Sequence, residues 1–200
     1  MFRFLFGIVI GILLLPAAAF VWIHHGHPPV AVGDTPFPYE RQIAGVTLNT
    51  RIDHDSPKEV GVQANEATFV AGAHIYREQC AFCHGIYGQP SKVGGHMFPA
   101  VPPLWEKHHN GQVVGVSDDP PGETYWKVAN GIRLTGMPAY KDILTQNEIW
   151  QVSVLLANAD KPLPPEALSL LKQPLGLEAS SLTLPASLGK GVPAPPDMGR

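Results

Sequence analysis

The chain is expected to be all-α, a small helical domain preceded by one transmembrane-length helix, and three observations carry that expectation. Phe4 to Ile23 is an uncharged, almost wholly apolar run of about the length needed to cross a hydrocarbon core as a helix. Between Asn65 and Gln79 the residues Phe69, Gly72, Ile75 and Tyr76, with Cys80 just beyond, follow a three-and-four spacing that puts them on one helical face. Thr145 and Glu148 form a T-x-x-E capping box, with Leu144 and Ile149 at the two positions of a hydrophobic staple, so a helix start is written there. A chain of 200 residues, 44% hydrophobic and 16% charged, allows one modest domain plus extensions. Its formal net charge of −3 gives no basic footprint for nucleic acid.

Taken in order, residues 1–23 read as a membrane anchor with Arg3 on its cytoplasmic side, which exports the remainder. The alternative is a cleaved signal peptide, with Pro16 as breaker and Ala17-Ala18-Ala19 as the cleavage site. Residues 24–64 are rich in loop formers and read as an extended connector, in which Ile43, Val46 and Leu48 allow a short helix or strand and His24, His25 and His27 are solvated juxtamembrane residues. The helix over 65–79, capped near Asn65, opens the main domain, residues 65–160. Gly85 to Pro103 is too broken by Gly and Pro for a long element and suits a wrapping loop. A helix follows from about Pro121 to Asn130, with proline in its first turn and Gly131 as its left-handed stop. In the helix after Thr145, the face Ile149, Val152, Ser153 and Leu156, with Trp150 nearby, is expected to cross the first domain helix around Gly72 and Tyr76. Residues 161–200 read as a Pro-rich, largely disordered tail with room for a short helix near Glu166 to Lys172.

The chemistry sits at Cys80-Ala81-Phe82-Cys83-His84, which holds both cysteines of the chain. On a helical turn, cysteines at this spacing project from one face, so each sulfur can add to one vinyl group of haem while the adjacent histidine ligates iron. That gives one covalently attached haem c per chain. The competing readings are a structural disulfide, half of a zinc site completed by His96, His108 or His109, and a thioredoxin-like motif. The last lacks a βαβ pattern and leaves His84 unexplained. For the sixth iron position Met137 is the candidate, because Gly136 and Pro138 enforce an irregular loop around it. Met97 is the rival, expected to cover the histidine side. Tyr125, Trp126 and Arg133 are each read either as propionate partners or as ordinary core and surface residues.

These motifs resemble those of the class I cytochromes c, and the chain looks most like the membrane-anchored monohaem cytochromes of bacterial periplasms. The resemblance covers roughly Asn65 to Asp160. Gly72 and Tyr76 stand where the family packs a glycine and an aromatic against its C-terminal helix, Pro102-Pro103-Leu104 resembles its P-x-L segment, and Gly136-Met137-Pro138 its methionine loop. The resemblance implies that the Pro102 carbonyl accepts the Nδ1 proton of His84, that Leu104 packs on the ring, and that His84 and Met137 are the axial ligands. It implies a one-electron carrier rather than an enzyme, at the inner membrane with its haem domain facing the periplasm, or soluble there if residues 1–23 are removed. Its redox partners would be a quinol-oxidising complex, a terminal oxidase or a periplasmic dehydrogenase, with the chain either a separate carrier or the cytochrome subunit of a larger oxidoreductase complex. The alternative from another class is an open-site haem protein, a gas sensor or peroxidase-like enzyme, which needs distal acid and base groups.

Overall fold

The computed structural model describes residues 2–108 and 111–175, and the chain divides into two units at Asn49 and Thr50. The first unit contains α1, Phe2–His25, which runs on through Pro16. Its stretch Arg3–His25 is long and apolar enough to cross a membrane, and none of it is covered by protein. After α1 the Asp34 carboxylate accepts the N–H groups of Val30 and Ala31, each at 2.8 Å, closing a turn. Helix α2, Glu40–Asp55, begins where Glu40 accepts the Phe37 N–H at 2.9 Å.

Residues 24–64 are therefore not an extended connector. Ile43 and Val46 belong to α2 and remain exposed, whereas Ile52, at 2% exposure, is buried in the second unit. Pro57 lies with its carbonyl against Gly122, where a side chain would collide, so the part of this stretch from Thr50 onward is packed within the second unit. Burial of Ile52 and Ser56 supplies what the connector reading lacked: a tertiary partner for a weakly periodic sequence.

The second unit is built from α3 (Glu66–Ile75), a π-helical turn (Tyr76–Cys80), α4 (Ala81–His84), α5 (Pro121–Asn130), α6 (Gln146–Leu156) and α7 (Pro165–Lys172). Asn65 caps α3 by accepting the Thr68 N–H at 2.9 Å. The helix expected to continue to Gln79 changes at Tyr76, where the Ala81 N–H reaches back to the Tyr76 carbonyl and widens the spiral. A short antiparallel pair, Lys107–His108 (β1) with Val113–Val114 (β2), interrupts the loop before α5. Helix α5 starts at Pro121 and stops at Gly131, whose φ of 66° suits glycine.

Helix α6 starts on the capping box: Glu148 accepts the Thr145 N–H at 2.7 Å and donates its own N–H to the Thr145 hydroxyl at 3.3 Å. It is buried nearly all round from Ile149 to Leu156 rather than along one face, because it packs against both α3 and α5. Tyr125 of α5 stacks on Trp150 of α6, with ring centroids 4.3 Å apart. The expected tail also begins later than residue 161. Ala167 and Leu171 of α7 are fully buried and α7 packs on α3, so the domain runs past 160 to the last described residues. Positions 176–200 of the expected tail lie outside the described residues.

Candidate haem site

The π turn and α4 together carry the two cysteines and His84. Cys80 and Cys83 are half-buried and not bonded to one another, so the disulfide reading has no counterpart here. Burial pushes the Cys80 thiol up to about 12, with the neighbouring Cys83 adding to the shift. Cys80 and Cys83 are the residues that would hold haem c, through thioether bonds to its two vinyl groups. Tyr76, fully buried, donates its hydroxyl to the Gly85 carbonyl at 2.7 Å and so closes the attachment turn from behind. Burial raises its pKa well above the ordinary phenol value, and a negative charge on Cys80 would raise it further.

His84 Nδ1 lies 2.9 Å from the Pro102 carbonyl, the contact the resemblance implies. With Nδ1–H donated there, Nε2 is the ring nitrogen with a lone pair for a metal. Burial lowers the His84 pKa, and the carbonyl partner pulls the other way. Burial, the larger of the two effects, favours the neutral imidazole. Leu104 is buried, and its N–H reaches the His84 carbonyl at 3.4 Å. The loop between them is shaped by its own bonds: Ser91 Oγ donates to the Phe82 carbonyl at 2.6 Å and accepts the Gly94 N–H at 3.0 Å.

Met137 is half-buried in a loop sewn to the end of α5. The Ile132 N–H reaches the Met137 carbonyl at 3.2 Å, and the Met137 N–H bonds the Thr135 hydroxyl at 3.1 Å. Met97 departs from expectation. Its terminal methyl occupies the position a Cβ on Gly136 would take, so it reaches the Met137 loop instead of staying with the histidine side. Two thioethers therefore approach one loop, and glycine at 136 makes room for the second.

The other candidates sort clearly. His108 Nε2 bonds the Gly115 carbonyl, His96 is exposed, and His109 lies outside the described residues. Among the described residues no three His, Cys, Asp or Glu side chains converge on a metal-sized site, which leaves the zinc reading without support. Tyr125 is committed to Trp150 and Arg133 is exposed. Three residues went unnoticed in the sequence. Trp105, directly after Leu104, is buried, edge-on to Tyr76, with its indole N–H lacking an aligned acceptor. Tyr140 donates its hydroxyl to the Gln79 carbonyl at 2.8 Å, and Arg77 binds carbonyls at the end of α7. No local period marks any of them, since each finds its partner far along the chain or in the core.

The residues present fit haem on the chemistry of the donor set. They offer two unpaired thiols on one turn, a neutral imidazole with one nitrogen committed, a half-buried thioether, and a buried indole donor of the kind a propionate accepts. A helical domain with these donors defines a c-type cytochrome domain, which carries covalently attached haem c and serves haem-based electron transfer. Residues 67–156, from α3 through α6, match the family described as cytochrome c oxidase, cbb3-type, subunit III. No curated protein and no solved structure is matched by the chain.

Proposed function

We propose that the chain is a membrane-tethered electron carrier whose haem iron is held by His84 on one side and Met137 on the other, with Cys80 and Cys83 as the covalent anchors. Haem c supplies, when bound, a one-electron Fe(III)/Fe(II) couple. With His84 and Met137 both on the iron there would be no position for a substrate, so the work of the chain is to hold, orient and insulate. The bond from His84 Nδ1 to the Pro102 carbonyl at 2.9 Å carries the reading, because it orients the ring and raises the basicity of Nε2. Leu104 beside it excludes water from the histidine side. A thioether opposite favours the reduced state and raises the potential.

The haem domain is read as facing the periplasm, with α1 as a single-pass anchor. Among a quinol-oxidising complex, a terminal oxidase and a periplasmic dehydrogenase, the description of the matched family as an oxidase subunit favours the oxidase as electron acceptor. The open-site alternative gains nothing from His108, whose ring is engaged with a backbone carbonyl.

Met137→Ala tests the assignment. Covalent attachment through Cys80 and Cys83 should survive, the far-red sulfur-to-iron band should vanish, the potential should fall, and carbon monoxide or imidazole should bind where both competed poorly before. Met97→Ala should leave the band in place. If the two variants exchange these behaviours the ligand is Met97, and if neither alters the spectrum the iron has no methionine ligand.

A further inference from the structure

The Met137 loop is shaped by local bonds. The Tyr140 N–H reaches the Val128 carbonyl at 3.0 Å, the Lys141 N–H the Ala129 carbonyl at 3.1 Å, and the Ile132 N–H the Met137 carbonyl at 3.2 Å. All of these lie within 128–141, so they set the form of the loop and not its distance from the cysteines. Among the described residues, the hydrogen bond that joins this loop to the attachment turn is the one from the Tyr140 hydroxyl to the Gln79 carbonyl, 2.8 Å long and spanning 61 positions of sequence. Gln79 lies in the π turn, and its carbonyl belongs to the same peptide as the Cys80 N–H. The Tyr140 ring is buried at 9% exposure, which aims the hydroxyl and limits competition from water.

We infer that Tyr140 is a positioning residue that holds the Met137 thioether on the iron by tying its loop to the peptide of the first haem-anchoring cysteine. The inference rests on the His84/Met137 reading. With Cys80 bonded to the cofactor and Met137 bonded to its iron, the strut from Tyr140 to Gln79 closes a ring through both, so the loop cannot swing out without breaking it. Opening of the loop is a two-state equilibrium, and a bond made only in the closed state biases it by the net worth of that bond. An external ligand sees the iron only in the open fraction, so its apparent affinity scales with that fraction. Removing the hydroxyl while keeping the ring should therefore tighten external-ligand binding by about two- to tenfold, the factor that an ordinary hydrogen bond is worth.

The test is an imidazole titration of the oxidised holoprotein, comparing the parent chain with Tyr140→Phe and Met137→Ala, alongside thermal midpoints. Y140F should keep its haem and its far-red band, bind imidazole about two- to tenfold more tightly than the parent, and remain weaker-binding than M137A. A Y140F protein that titrates like the parent overturns the proposal, whatever its thermal midpoint, because a residue that only packs would lower stability without freeing the iron. If M137A also titrates like the parent, the methionine-ligand reading falls and the strut falls with it. If M137A alone binds more tightly, that reading stands and only the role of Tyr140 is refuted.

Discussion

A methyl group added at Gly72 would come 2.5 Å from the Gln151 carbonyl oxygen and 3.1 Å from Leu155 Cβ. The glycine lets the backbones of α3 and α6 approach to contact, and α3 leads directly into the attachment turn. Gly72→Ala should therefore destabilise the domain by about 1–3 kcal/mol through overpacking, read as a lower urea midpoint with haem still attached. Gly45 makes the contrast, since a Cβ there meets nothing within 4 Å. The special residues around the site behave in the same local way. Leu134 sits at a φ of 63° and is 91% exposed, at the tip of the loop that presents Met137. That conformation is held by the Thr135 hydroxyl, which donates to the Ile132 carbonyl at 2.7 Å and accepts the Met137 N–H. The close approach at Gly72 and the contact of His84 with the Pro102 carbonyl were both expected from the sequence and its resemblance. The reach of Met97 to Gly136 was not, because a flexible thioether has no period that announces its contact.

Helix α7 lies beyond the matched stretch 67–156, yet it belongs to the core of the haem domain. Arg77, in the π turn before Cys80, donates to the Leu170 carbonyl at 2.7 Å and to the Gln173 carbonyl, and its second nitrogen reaches the Pro174 carbonyl at 3.3 Å. Leu170 lies in the last turn of α7, where its carbonyl also takes the Gln173 N–H, and Gln173 and Pro174 follow directly after the helix, so the guanidinium sits at the end of α7 that suits a cation. On the other side of the motif, the Tyr87 N–H reaches the Leu171 carbonyl at 3.2 Å and the Lys172 ammonium lies 5.1 Å from the Tyr87 ring centre. The end of α7 thus grips the chain just before and just after Cys80–His84. Leu171 is fully buried, so Leu171→Ala should cost about 2–5 kcal/mol by transfer and cavity terms, measured as a fall in denaturant midpoint. An unchanged midpoint would show α7 to be a passive extension. The capping box of α6 was readable because its partners are three residues apart. The integration of α7 was not, since Arg77 and Leu170 are separated by 93 positions.

At the scale of the whole chain, the proposed function needs α1 to stay attached. An apolar helix uncovered by protein along its length is what a bilayer accommodates, and exposing it to water would carry a large hydrophobic penalty. The connector that follows has less reach than its sequence suggested. With α2 helical over Glu40–Asp55, that stretch spans about 1.5 Å per residue instead of the 3.3–3.6 Å of an extended chain. Under the proposed anchoring, a connector shortened in this way would keep the haem domain at a higher effective concentration near any membrane partner than a fully extended one. Intact-mass measurement on fractionated cells checks the anchor: the haem-bearing chain should be found in membranes with residues 4–23 retained. A soluble form beginning near Phe20 would show that the segment is removed.

What the sequence determined by itself was everything encoded within a few residues. C-x-x-C-H specifies its cofactor because two sulfurs and an imidazole on one turn are a local geometry. Asn65, Thr145 with Glu148, and Gly131 mark helix ends through bonds that close within four residues, and Pro121 marks one through a ring that fixes φ and removes the N–H. Only the tertiary structure decided which distant groups complete that local chemistry: Tyr140 on Gln79, Arg77 on the end of α7, Met97 against Gly136, and Ile52 in a core that its own helix does not form. The physical reason is that a hydrogen bond or an apolar contact is chosen by proximity in space. Proximity across 61 or 93 positions is created by the packing of α3, α5, α6 and α7, and no single stretch of the chain contains it.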